Sequence, residues 1–593
     1  LGQLKGKRDF SGLFYFEKLQ AFLMIIFWRF YMKRYVLSAL LIAAVLSAGY
    51  AGGNQASSQS GGSSPAVSGG VYNGPDKGIV TPKGQFPIVN QAVTLNITMV
   101  QNARVTDYVN NDYTKLLENT TGVKLALNLI PGNDAAAKVA MMFSSNDLPD
   151  VLSVGGLADS TIDEYGMDGL IIPLEPLIGY FGDEVYKMWD KAQDKNLKAL
   201  MTSADGHIYS IPKYSEQYIN LYQQRCYLYG PWMDKLGLKA ANTIAEFTDI
   251  LRAFKTKDPN GNGKADEIPL IGYTDTTGDN KGMARIYNFF FNAFVFFDPR
   301  EMMEVTNGKV SPVFTKDEFR DALTWMNSLV KEGLLDPVTF TQDEPSLRTI
   351  MNQDPMVVGC FAQETRTGVL DTNGERSKSL IAQPPLQGPK GVRWSLATPP
   401  DVQRVWQITK DCKYPAVAYR LADYMLNYDV TFSARIGFEG RDWQKINDPT
   451  KRGLDGGPAT FVQLQNVWQM PTQNIFWQWP NPGFMPYGTL EGMVNDGDPL
   501  QYDYWQTQFG LNYCKGLQPP ESLPRQLVMN AQEADTYAAL RPTIRSYVTE
   551  NMARFIVGDR SLSEWNAYVT EFDKMNLPKL VSMFQGVYDR MSK

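Results

Sequence analysis

The sequence predicts an α/β protein built from two or more lobes, and three observations lead there. The chain has 593 residues, too many for one ordinary core at roughly 100–200 residues per domain. Its composition, 44% hydrophobic and 20% charged, is that of a folded globular protein. From about residue 93 onward, strand-like and helix-like patterns alternate, as they do around a largely parallel sheet.

The folded region is preceded by segments of other kinds. Residues 1–31 contain LFYF and AFLMIIFW, match no targeting class, and are expected to be an over-extended reading frame. Residues 32–51 have the order of a secretory signal peptide. Lys33 and Arg34 give the positive start, Tyr35 to Ala48 the uncharged apolar run, and Gly49 and Ala51 the small residues before cleavage. That run of about 14 residues is short of the roughly 20 needed to span a bilayer. Export to the extracellular face of the membrane or the periplasm is therefore expected. Tyr50 stands where a lipoprotein signal would carry its cysteine, so lipid anchoring is not expected at that position. Residues 52–92 are expected to be a flexible linker, since 52–70 are mostly Gly, Ser, Ala and Gln.

The elements then follow in order. VTLNITMV (93–100) alternates and is β-branched, a strand. DYTKLLENTTG (112–122) has helical apolar spacing and a terminal glycine. VKLALNLI (123–130) is a second strand, 133–150 a helix stopping near Asn146, and VLSVGG a third strand. GLIIPLEPLI (169–178) is an apolar run interrupted by prolines, and 204–217 reads as a turn and a short strand. Thr243 and Glu246 have capping-box spacing ahead of a helix whose apolar face is Ile244, Phe247, Ile250, Leu251 and Phe254. Residues 318–335 and 415–429 are amphipathic helices, and 474–493 is an aromatic-rich loop with exposed ring potential. The lobes are expected as 93–212 with part of 350–415, and 213–349, with 416–593 a helical remainder contributing to both.

The loop DPNGNGKADEIP, 258–269, collects oxygen donors. Calcium takes six to eight oxygens from alternating positions of a tight loop. Asp258, Asn260 and Asn262 occupy positions 1, 3 and 5 of an EF-hand pattern, with Gly263 at the sharp turn. Lys264 would offer its carbonyl and Asp266 its carboxylate. Pro269 stands where the bidentate Glu belongs, so Glu267 is the nearest substitute. A structural calcium ion is the expected occupant.

Other chemistries are poorly supplied. His207, in a predicted surface turn, is the one histidine, which starves zinc sites and acid–base triads. The net charge of −6, with no basic run, argues against nucleic acid. Cys226, Cys360, Cys412 and Cys514 form no CxxC and are expected to be buried thiols rather than disulfides.

The chain resembles the extracellular solute-binding proteins of bacterial ABC transporters, especially the large oligosaccharide-binding lipoprotein type that includes alginate binders. The resemblance is carried by NDLPDVLSV (146–154), DGHIYSIP (205–212), MDKLGLK (233–239), AFKTKDPNGNGKADEIPL (253–270), 408–426 and RIGFEGRDW (435–443). It implies a periplasmic-binding-protein-like (class II) fold, two lobes with hinge segments and a ligand cleft between them. It also implies a monomer without enzymatic activity, an oligosaccharide ligand, permease partners, and calcium on Asp258, Asn260, Asn262, Lys264, Asp266 and Glu267. The aromatic content of 12% suits sugar binding, since rings stack on the apolar faces of sugars. Candidate ligand residues at loops and hinges are Tyr214, Gln217, Glu364, Trp406, Glu439, Trp443, Trp477 and Trp479. A secreted carbohydrate-active enzyme, a sugar-sensing or adhesive surface protein, and a peptide binder on the same fold are the alternatives.

Overall fold

The computed structural model describes residues 67–68 and 71–592, apart from 277–280, 367, 371–373, 399, 401, 471, 479–480 and 496–501. The expected N-terminal extension (1–31), signal peptide (32–51) and candidate Trp479 lie outside the described residues. No helix among the described residues is long and apolar enough to cross a membrane.

Strand β1 (Val93–Gln101) alternates as expected, burying Val93, Leu95, Ile97 and Met99. Helix α1 (Asp112–Thr121) starts where the Asn111 side chain accepts the Tyr113 N–H, and stops at Gly122, whose φ of 75° is left-handed. β2 (Val123–Pro131) pairs parallel to β1, α2 (Ala135–Ser145) ends at left-handed Asn146, and β3 (Val151–Ser153) pairs parallel to β1 on its other side. This is the expected parallel βαβαβ start.

The later elements are β4 (Ile211–Ser215), β5 (Arg225–Tyr229), α3 (Ile244–Thr256), β6 (Ile268–Ile271), α4 (Asp317–Lys331), β7 (Val358–Gln363), β8 (Leu380–Gln383) and β9 (Gln403–Ile408). After them come α5 (Pro415–Met425), α6 (Tyr428–Ile436), β10 (Gly483–Met485), α7 (Tyr502–Phe509), α8 (Ala531–Val557) and α9 (Leu577–Met591). The strands divide between two main sheets. The first has the order β10-β4-β9-β3-β1-β2, and the second β8-β5-β7-β6. The first sheet is mixed, because β9 runs antiparallel to both β3 and β4. Each sheet organises its own core. One holds Leu95, Tyr113, Leu177 and Trp406, the other Leu228, Phe247, Phe290 and Phe555.

Four expectations change. Part of the expected linker is packed: Tyr72, Asp76, Ile88 and Val89 are buried, the Asp76 carboxylate accepts the Val417 N–H, and Arg420 donates to the carbonyls of Thr81 and Gln85. The expected helix 415–429 is two helices, because the Asn427 side chain accepts the Asp429 N–H and starts α6 afresh. The apolar run at 169–178 contains a short helix, Glu175–Phe181, with proline in its first turn, where a missing N–H costs nothing. The rings of Phe476 and Trp477 are not exposed but fully buried. Elsewhere, α3 buries all five expected apolar residues. The four cysteines are buried free thiols, and His207 is exposed with Nδ1 3.0 Å from Glu175 Oε1.

One buried carboxylate secures the first core. Asp423 accepts the N–H groups of Asp183, Glu184 and Val185 at 3.0–3.2 Å, and burial pushes its carboxyl up to about 6. Asp423→Asn keeps one acceptor oxygen but turns an amide donor toward these N–H groups. It is expected to destabilise by about 1–2 kcal/mol in urea unfolding. The folded-state value lies above the unfolded one, so the protonation-linked part of this group's contribution is full below about pH 4 and lost as pH rises through about 6, leaving the three N–H hydrogen bonds at neutrality. The variant should therefore show a flatter stability profile between those values and neutrality.

Candidate functional site: a cavity where the chain crosses between the sheets

The chain passes between the two sheets three times: from β4 to β5, from β8 to β9, and after β10. On the third passage Trp505 of α7 stacks on Tyr227 of β5, with ring centroids 5.3 Å apart. The crossings are bonded to one another. The Thr398 N–H donates to the Leu221 carbonyl at 2.7 Å, and Gln518 Nε2 donates to the Ser395 carbonyl at 3.0 Å.

A cavity of about 1030 Å³ lies at these crossings, at the top of the ~300–1,000 Å³ range of small-molecule sites. Its wall includes the rings of Tyr218, Tyr222, Trp468 and Tyr487, with Asn220, Gln223, Gln403, Asn481 and Arg435 among the polar groups. Tyr218 packs edge-on against Tyr222 and Tyr487. Trp468 is half-buried, its Nε1 donates to the Arg435 carbonyl at 2.6 Å, and the Arg435 guanidinium lies 4.3 Å from its ring centroid. The Tyr218 N–H donates to Glu491 Oε1, and the Gly488 N–H to Oε2. One carboxylate thus ties the loop carrying Tyr218 to the loop carrying Tyr487. A smaller chamber of about 290 Å³ shares Asn220, Gln223, Arg435 and Trp468 with the main cavity.

Behind the tyrosines, α7 runs into a wider π turn, Gly510–Cys514. A Cβ at Gly510 would lie 2.6 Å from a Tyr222 ring carbon and 3.0 Å from a Tyr218 ring carbon. Gly510→Ala is therefore expected to displace both rings, costing about 1–2 kcal/mol of stability in urea unfolding.

Of the expected ligand residues, the structure brings Tyr214 and Gln217 to the main cavity and Glu364 to the smaller chamber. Trp406 and Trp477 are fully buried in the first core, Trp477 donating from Nε1 to Thr114 Oγ1. Trp443 packs edge-on against Phe432 and Phe461 and donates to the Gly437 carbonyl. These three rings fill cores instead of facing the cavity. Glu439 is surface-exposed beside Lys445 and lines neither space. Reasoning from the sequence missed Trp468, Tyr487, Tyr218 and Arg435. The only signal available was their place in irregular segments, which many buried rings share.

The 258–269 loop joins α3 to β6 and contributes no residue to either space. Asp258, at φ 47°, accepts the N–H groups of Gly261 and Gly263. Asn260 and Asn262 accept the N–H groups two residues on, and both amide nitrogens donate to the Asp266 carboxylate. Glu267 Oε1 is buried without a partner. Among the described residues, no three or more His, Cys, Asp or Glu side chains are already gathered to hold a metal.

Residues 102–431 match the family model described as bacterial extracellular solute-binding protein. The fructooligosaccharide ABC transporter substrate-binding protein FusA of Streptococcus pneumoniae serotype 4 is 26% identical over 498 residues, 80% of this chain and 86% of that protein. The structure of S. pneumoniae FusA with kestose has a TM-score of 0.69 at 24% identity, covering 84% of this chain and 99% of that one. The structure of alginate-binding protein AlgQ2 without calcium ion gives 0.63 at 21% identity, covering 86% and 100%.

Proposed function

The chain belongs to the bacterial extracellular solute-binding proteins, a family of binding proteins rather than enzymes, and we propose that within it this protein carries an oligosaccharide. The observation that carries this reading is the cavity at the three crossings. Its volume exceeds what one small sugar requires, and it alternates rings with amides, the combination that holds a sugar's apolar face and its hydroxyls. The relative FusA is named for fructooligosaccharides and its structure holds kestose, which supports the same ligand class here. In this reading the two sheets are the cores of two lobes that close on the sugar, and the crossings are the hinge. The loaded, exported monomer then delivers it to ABC permease subunits.

The 258–267 loop is read as a structural calcium site. Asp258, Asn260, Asn262, Asp266 and Glu267 crowd side-chain oxygens into one turn, with the Lys264 carbonyl beside them. The orphaned Glu267 oxygen is the acceptor that a cation would satisfy. When bound, calcium would supply charge neutralisation that ties α3 to β6.

The test is thermal unfolding of the chain from residue 72 onward against a panel of oligosaccharides, in calcium. A ligand at 100 times its Kd adds about 2.7 kcal/mol to the folded state. One glycan class should raise the midpoint and be recovered uncleaved. A shift with peptides alone would transfer the cavity to a peptide ligand, and cleavage of the glycan would refute a carrier role.

A further inference from the structure

The smaller chamber carries more positive charge than its own carboxylates answer. Its wall brings together Arg104, Arg225 and Arg435 with Glu364 and Asp503. Asp503 is accounted for: burial pushes its carboxyl up, and the Arg435 guanidinium pulls it back. Glu364 Oε2 lies 4.0 Å from Arg285 on the neighbouring segment, a guanidinium that Asp275 already holds at 2.8 Å, so the chamber's three guanidinium groups outnumber its two carboxylates by one. Arg104 and Arg225 remain, and neither has an ion-pair partner among the described residues.

Arg225 is the unusual member. It is 1% exposed, and its terminal nitrogens reach only two carbonyls, those of Glu364 and Ile219. Its Nε is buried with no acceptor. An ionised group taken out of water without a counter-charge is expensive, and guanidinium is the side chain least able to shed its proton. Arg104 stands at the same chamber on the exposed side, with one nitrogen on the Trp468 carbonyl. The chamber adjoins the main cavity, with Trp468 and Arg435 lining both.

Resting on the reading that the main cavity binds a glycan, we propose that the smaller chamber is an anion subsite. There Arg225 and Arg104 hold an acidic substituent of that glycan, a carboxylate or a sulfate ester, through charge-assisted hydrogen bonds. Such a group would supply the counter-charge that the buried guanidinium lacks. It would also make the ligand an acidic oligosaccharide on a protein whose overall charge is −6.

The test is isothermal titration with three oligosaccharide series of matched length: neutral, uronate-containing and sulfated. At least one acidic series should bind 10-fold or more tighter than the neutral one, and the better of the two identifies the acid. That preference should shrink as sodium chloride is raised, since added ions screen it. Arg104→Gln, a surface change that tests the subsite without disturbing the core, should lower the acidic-to-neutral affinity ratio several-fold. Arg225→Lys should lower it further if the variant folds. Neutral glycans binding as tightly as acidic ones would overturn the subsite and leave the carrier reading standing. An acidic preference insensitive to Arg104 and to salt would also overturn it. Binding by none of the three series would remove the glycan reading and the subsite together.

Discussion

Replacing Trp468 with alanine should weaken binding of the preferred oligosaccharide by about 30- to 100-fold, roughly 2–3 kcal/mol, the scale of a central aromatic anchor. The effect should be large because one ring does three things. It faces both the main cavity and the smaller chamber, so its loss touches the ligand across their junction. Its Nε1 holds the Arg435 carbonyl, and its face holds the Arg435 guanidinium, so Arg435 loses its support too. It is only half-buried, so truncation leaves an opened wall rather than a collapsed core, and the variant should still fold. Trp468→Phe, which keeps a ring but not the N–H, should recover part of the affinity. Titration calorimetry of the three proteins measures all of this. An alanine variant that binds as tightly as the parent would remove Trp468 from the ligand site.

Chelation of calcium should lower the unfolding midpoint of the ligand-free chain by about 5–10 °C. A cation present at 100 times its Kd contributes about 2.7 kcal/mol, and each kcal/mol moves the midpoint of a lobe-sized unit by about 2–4 °C. The origin is local. Three carboxylates, Asp258, Asp266 and Glu267, belong to one loop, and Glu267 Oε1 has no hydrogen-bond partner. Without a cation, the amide nitrogens of Asn260 and Asn262 are what answers Asp266. Glu267→Gln should abolish most of the calcium-dependent rise while leaving the chelated midpoint nearly unchanged. Ligand affinity measured in saturating calcium should be unaffected by that change, because the loop lines neither cavity. A parent midpoint that ignores both calcium and chelator would contradict the metal reading.

Local structure was legible where a short stretch carries its own physics. The helix Ile244–Thr256 could be read from a Thr243 cap and five apolar residues at helical spacing. The parallel start Val93–Ser153 could be read from alternation and a terminal glycine or asparagine. The loop 258–269 was visible as a pattern of oxygen donors, although how its side chains bond one another was not. The cavity was largely hidden because its wall comes from three separated passages of the chain. Tyr218, Trp468 and Tyr487 are far apart in sequence and meet only after both sheets form. Trp406, Trp443 and Trp477 show the converse: they read as available rings, yet tertiary packing buries all three, Trp406 within strand β9 itself. Composition also misled at residues 72–92, where Asp76 and Thr81 bond to α5 residues some 340 positions later and Tyr72, Ile88 and Val89 are buried.

The most direct test of the central claim is a crystal structure of the calcium-loaded chain with the oligosaccharide that gives the largest thermal shift. The sugar should lie at the three crossings, with a ring face against Trp468 or Tyr487 and hydroxyls within reach of Asn220 and Gln223. Density for the sugar at any other place, with this cavity holding only solvent, would contradict it.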